Sequence, residues 1–314
     1  MPNPTKVPKF QPAYLALLAS GELESRVTRA WHHLEDCDLC ARYCHVNRCK
    51  TTRGAVCRTG ERAVVHGFGA HHGEEDLLRG WAGSGTIFFS WCNLRCIFCQ
   101  NWEISQKGLG YEVSPEELAR MMLSLQAQGC HNINLVSPSH VVAQILAAVW
   151  LAAQAGLRLP LIYNTGGFDS LEALALLDGV IDIYMPDMKY GDETIAHRYS
   201  HVRGYVAANR AAVSEMHRQV GDLVLDEHGL ATRGLLVRHL VLPQDRANTE
   251  QVLEFLATAI SPNTYLNIMD QYRPCYRADE YPPLDRPITE QEYAKALISA
   301  ERLGLHRLDS RHRR

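Results

Sequence analysis

No stretch of this chain stays apolar for the about 20 residues that a membrane-crossing helix needs. The most apolar run, Val141–Leu157, is 17 residues long, carries Gln144 and Gln154, and reaches Gly156 near its end. It reads as a buried helix. The start, MPNPTKVPKFQPAYLALL, lacks the sustained apolar segment and cleavage site of an export signal. An excess of one charge is also missing. Lys and Arg number 32 against 35 Asp and Glu, a formal −3, which excludes a generally basic nucleic-acid binder. There is no internal repeat and no low-complexity tract. These absences predict a soluble, cytoplasmic protein with no membrane and no strong nucleic-acid signal. At 314 residues, with 46% hydrophobic, the chain can bury about 75% of its extended surface and needs no disulfide or metal merely to fold.

Cysteine is plentiful. Of ten, five lie in Cys37–Cys57 and three in Cys92–Cys99, with Cys130 and Cys275 elsewhere. Without an export signal, clustered thiols predict metal or redox chemistry rather than disulfides.

The chain divides into three parts. Residues 1–80 form a cysteine-rich appendage with two short helices, Ala13–Ser20 and Leu23–Leu34, and residues 61–84 read as a connection. Residues 306–314 are a basic tail, read as solvated and partly disordered. Between them, 81–305 alternates strands and helices. The strands are Gly85–Ser90, Asn132–Val136, Pro160–Tyr163, Ile181–Met185, Leu235–Leu242 and Thr264–Met269. The helices are Ser114–Gly129, Ser139–Ala155, Ser170–Leu177, Tyr205–Val220, Thr249–Ile260 and Thr289–Leu303, and Asp222–Gly234 reads as a hairpin. Ser114 with Glu117 and Thr289 with Glu292 are capping boxes. About six strands alternating with helices predict an α/β fold, a partial (β/α)6-type barrel with an active site at the strand C-terminal ends.

The decisive motif is Cys92-Asn-Leu-Arg-Cys96-Ile-Phe-Cys99, directly after the first of these strands. Iron–sulfur cubanes are normally held by four cysteines. Three leave one iron open to a substrate or cofactor. Zinc closed by a fourth ligand is the alternative. Asp187 and Lys189 follow an apolar strand at spacing two, so they point to one side. That suits a polar cofactor at a barrel mouth, or a rim salt bridge. Arg238 lies within LLVRHLVL and needs a partner if buried, either a cofactor carboxylate or Asp187. Asn164 precedes Gly166-Gly167, which permits close backbone approach.

The run Ser84–Asn101 (SGTIFFSWCNLRCIFCQN), with HNINLVSPSH, YNTGGF, YMPDMKY, LLVRHLVLP and NIMDQYRPCYRADEYPPL, resembles the radical S-adenosylmethionine superfamily. It is similar to the pyruvate formate-lyase activating enzyme-like branch, and within it to a subgroup of activating-enzyme homologues rather than to the activase itself. The resemblance implies a [4Fe–4S] cluster on Cys92, Cys96 and Cys99, with S-adenosylmethionine on the open iron. Reductive cleavage would then yield a 5′-deoxyadenosyl radical that abstracts hydrogen from the substrate. It implies Phe98 beside the adenine, and Ser137, Asn164, Asp187, Lys189 and Arg238 as cofactor contacts. Its implied partners are a flavodoxin or ferredoxin as electron donor and a glycyl-radical protein as substrate. Radical modification of a small metabolite or another macromolecule is the runner-up. A zinc-stabilised binding module is the non-enzymatic reading. Two segments depart from the pattern. Ser137-Pro138-Ser139-His140 stands where many members carry Gly-Gly-Glu-Pro, and Tyr272 stands where the activase has a His. Cys37, Cys40, Cys44 and Cys57, with Cys49 as a fifth, resemble an N-terminal signature of the same subgroup. They suit an auxiliary iron–sulfur cluster or zinc. His45, His71 and His72 are alternative ligands.

Overall fold

The computed structural model describes residues 10–309. Its elements in chain order are α1 (Tyr14–Ser20), α2 (Glu22–Glu35), β1 (Ala63–His71), α3 (Asp76–Arg79), β2 (Ser84–Phe89), α4 (Trp102–Ser105) and β3 (Tyr111–Val113). They continue with α5 (Pro115–Ala127), β4 (Ile133–Val136), α6 (Val142–Gln154), β5 (Leu161–Thr165), α7 (Leu171–Leu177), β6 (Ile183–Pro186), α8 (Glu193–Ser200) and α9 (Tyr205–Val220). The rest are β7 (Val224–Leu225), β8 (Ala231–Leu240), α10 (Thr249–Phe255), β9 (Tyr265–Met269) and α11 (Glu290–Arg302).

Six strands run parallel in the order β2-β4-β5-β6-β8-β9, with helices between them, and form the expected partial barrel. Strand alternation sorts the residues. Ile87, Ile133, Leu135, Leu161, Tyr163, Leu235, Val237 and Leu266 face the helices in the main core. Phe88, Val136, Asn164, Arg238, Asn267 and Met269 face inward and line a cavity. Full burial of each large aliphatic side chain contributes about 1.5–3 kcal/mol, so the helical layer fixes the inner face by holding the outer one.

Both capping boxes form. Ser114 accepts from the Glu117 N–H at 3.3 Å and Thr289 from the Glu292 N–H at 3.2 Å, each glutamate returning the bond. The apolar run becomes α6, with all but a few side chains buried. Among the described residues, no helix is long and apolar enough to cross a membrane.

The 61–84 connection requires correction. It contains β1, which pairs antiparallel with β2 and β3, so the barrel sheet extends across the expected boundary at residue 80. It also contains α3, whose Leu77 and Leu78 pack on the inner-face residues Ile162, Ile183, Met185 and Leu236. This short helix stoppers the barrel end opposite the strand C-termini. In the tail, Leu308 bridges to Leu266, while 310–314 lie outside the described residues.

Candidate active site

Beyond β2 the chain turns through Cys92–Cys99 at the C-terminal ends of the parallel strands. Two backbone bonds to the end of α8 hold this loop, from Arg95 N to Ser200 O at 3.2 Å and from Ile97 N to Tyr199 O at 2.9 Å. Leu94, Ile97 and Phe98 anchor it in a second apolar cluster with Phe168, Tyr190 and Tyr272. The three thiols are free and line one cavity of about 430 Å³.

Each sulfur has a donor or hydroxyl beside it. The Leu94 N–H donates to Cys92 Sγ at 3.4 Å, Ser200 Oγ lies 3.0 Å from Cys96 Sγ, and Ser105 Oγ lies 3.1 Å from Cys99 Sγ. Burial pushes the Cys92 thiol up to about 12 and raises Cys96 as well, with Lys189 pulling both down. Thiols that resist ionising alone lose their protons to a metal. Three thiols with hydrogen-bond donors at their sulfurs form the ligand chemistry of an iron–sulfur cluster. The donor set therefore fits the implied group.

The cavity collects every residue expected there. Phe98, Ser137, Asn164, Asp187, Lys189 and Arg238 all line it with the three cysteines. Lys189 Nζ lies 2.5 Å from Asp187 Oδ2. Burial lowers the lysine, but the charges of Asp187 and Cys96 outweigh it and hold the ammonium up. Gly167 takes φ +74°, and a Cβ there would stand 2.3 Å from the Asp187 carbonyl oxygen. Asn209 secures this crossing, donating to the carbonyl oxygens of Gly167 at 2.9 Å and Asp187 at 3.0 Å.

Arg238 pairs differently from expectation. Its guanidinium bonds Glu75 at 2.8 and 2.5 Å and also bonds Glu74, not Asp187. Burial works against its charge, and the two carboxylates more than restore it. Asn267 Nδ2 adds a bond to Glu75 Oε1 at 2.6 Å. Sequence reasoning missed Glu74, Glu75 and Gln271, which line the cavity, and His71, weighed only as a ligand for the N-terminal cysteines, lines it too. The only signal of Glu74 and Glu75 was the acidic run Glu74-Glu75-Asp76 before Leu77-Leu78, in a stretch without periodicity.

The two departures resolve into structure. Ser137 lines the cavity in a left-handed conformation, φ +59°. Ser139 turns away to Thr165 Oγ1 at 2.8 Å, and His140 bonds the Ser90 carbonyl at 3.0 Å. Tyr272 is buried in packing, donating to the Leu284 carbonyl at 2.6 Å, and is not among the residues lining the cavity.

The N-terminal thiols gather beside this loop. Cys37, Cys40 and Cys57 are buried and Cys44 half-buried. Burial raises the Cys40 thiol, and the charges of Cys57, Cys37 and Cys44 add to the rise. The turn closes through Cys37 N to Val46 O at 3.2 Å and His45 N to Cys37 O at 3.0 Å. Cys49 sits apart, near Glu61 and Glu35. His45 turns to Asp36. Among the described residues, no three His, Cys, Asp or Glu side chains stand tightly enough to hold a single metal ion. Cys130 is buried in the main core, and Cys275 does not line the cavity.

Residues 86–230 match the family model of the Radical SAM superfamily. An uncharacterized protein of Methanocaldococcus jannaschii is 32% identical over 291 residues, 90% of this chain and 79% of that one. A radical SAM methyltransferase from Sphaerobacter thermophilus is 14% identical at a TM-score of 0.44, over 70% of this chain and 64% of that chain. HydG, a maturase of the [FeFe]-hydrogenase, is 11% identical at 0.46, over 69% of this chain and 48% of that chain. The chain thus spans less than two thirds of both solved structures.

Proposed function

Because residues 86–230 match the Radical SAM superfamily model, we propose that the chain is an enzyme that cleaves S-adenosylmethionine reductively and takes a hydrogen atom from its substrate. The observation that carries this reading is the convergence of Cys92, Cys96 and Cys99 with Asp187, Lys189 and Asn164 on one cavity at the strand C-termini. When bound there, the [4Fe–4S] cluster and the sulfonium cofactor supply the electron and the carbon–sulfur bond cleavage.

The chain's own groups do the rest. As thiolates, Cys92, Cys96 and Cys99 would hold the cluster, and the Leu94 N–H with the hydroxyls of Ser200 and Ser105 would moderate their charge. The Asp187–Lys189 pair offers one acceptor and one donor to a zwitterionic cofactor. Phe98 supplies an apolar wall, and the surrounding cluster excludes water.

The resemblance in motif order favours a glycyl-radical protein as substrate, with a flavodoxin or ferredoxin as reductant. Radical modification of a small metabolite or another macromolecule is the second reading. The charged floor of Glu74, Glu75 and Arg238 supports it, since a glycine backbone brings no charge for that floor to meet. The same proposal gives Cys37, Cys40, Cys44 and Cys57 a second iron–sulfur cluster or a zinc ion.

Anaerobic reconstitution tests the central reading. Iron and sulfide should approach about four of each per cluster, with reductant-dependent release of methionine and 5′-deoxyadenosine. Cys96→Ala should abolish that release while leaving the circular dichroism of the fold unchanged. Stoichiometric zinc with no cofactor cleavage would make the protein a zinc-stabilised binding module.

A further inference from the structure

The cavity has a charged floor that none of the proposed cofactor contacts explains. The stretch preceding α3 crosses the closed end of the barrel and raises Glu74 and Glu75, 6% and 0% exposed, to the cavity from below. Against these two carboxylates stands one guanidinium, Arg238. The nearby Asp187 and Lys189 cancel each other. The floor therefore carries one more negative than positive group in a place shielded from water. Desolvating an excess charge is costly unless a counter-charge meets it.

A buried amide independently asks for a ligand. Asn267 is 1% exposed and lines the cavity. Its Nδ2 is spent on Glu75, and its Oδ1 has no hydrogen-bond partner. Exchanging its amide atoms would set oxygen against the carboxylate, so the bonded Nδ2 fixes the acceptor as the free atom. Leaving such an atom unmatched in the interior is costly. A group that donates several hydrogen bonds and carries positive charge answers both the carboxylate excess and the free acceptor.

We propose that the floor formed by Glu74, Glu75, Arg238 and Asn267 is a subsite for a protonated amine carried by the substrate. Glu74 and Glu75 supply the charge, Asn267 Oδ1 takes one N–H, and Arg238 holds the carboxylates in place. The word substrate rests on the radical reading above; the amine specificity does not.

The test uses the full chain, reconstituted anaerobically, with n-butylammonium as probe and n-butanol as its uncharged match, both titrated by NMR. The amine should bind at least about tenfold more tightly than the alcohol, and Glu74→Gln should erase that preference, as expected for a charge-assisted hydrogen bond. Glu75→Gln is the second variant should the first fail to fold. Equal binding of amine and alcohol, or a preference unchanged in both variants, overturns the proposal. A separate arm compares S-adenosylmethionine with its deaminated analogue by calorimetry. If Glu74→Gln weakens only the former, the floor serves the cofactor's own amine and the substrate subsite is refuted. Failure of cofactor cleavage with an intact amine preference would sink the radical reading alone.

Discussion

Arg95 donates from Nη2 to the carbonyl oxygen of Val56 at 2.7 Å, tying the site loop to the residue before Cys57. Arg42 reciprocates, donating from Nε to the Asn93 carbonyl at 2.7 Å from within the N-terminal cysteine turn. Each cysteine group is thus braced by an arginine from the other. Arg95→Met should leave the fold intact but speed iron loss to a chelator by about tenfold, the worth of a hydrogen bond from a charged donor. The decay of cluster absorbance measures this. An unchanged rate would show that the brace has no hold on the cluster.

Gly167 combines a left-handed backbone with a close crossing over Asp187. Gly167→Ala should destabilise the protein by about 2–4 kcal/mol, adding conformational strain to overpacking. Gly229→Ala, at φ +77° with open space around it, should cost only about 1–2 kcal/mol. Urea unfolding separates the two. Equal losses would remove the crossing as a constraint.

Asp182 accepts the N–H groups of Ala13 at 2.9 Å and Leu161 at 3.0 Å, joining the start of α1 to β5. Burial pushes its carboxyl up to about 7. Between about pH 4 and 7 the folded state therefore binds more protons than the unfolded state at this group. Its contribution to stability should fall as pH rises through that window and level off above it. Asp182→Asn should flatten this slope while forfeiting one acceptor. Denaturant unfolding at pH 4.5 and 7.5 would show the wild-type advantage shrinking with pH. An advantage that grows with pH would contradict the direction.

If the four N-terminal thiols hold their own metal, replacing Cys92, Cys96 and Cys99 together with Ala should not empty the protein. Metal analysis of that variant should find iron with sulfide, or zinc. A further Cys40→Ser change should lower the content. A metal-free triple variant would confine metal to the site loop.

What could be read directly was local. The capping boxes at Ser114 and Thr289 announced α5 and α11 because their partners are three residues apart. The C-x3-C-x2-C spacing announced the site loop because its three thiols are close neighbours in the chain, and the helix expected at Tyr205–Val220 has those bounds in the structure. The end of β6 placed Asp187 and Lys189 together because an extended chain repeats its direction every second residue.

The sequence by itself therefore determined the order of the six parallel strands and the thiols that mark the mouth of the barrel. Tertiary structure alone decided that β1 is a strand, since a Gly- and His-rich segment without clean alternation pairs only when β2 offers it an edge. It also decided that Arg238 meets Glu75 across 163 residues of chain. A buried charge takes whichever opposite charge the fold delivers to it, and no local spacing records that delivery.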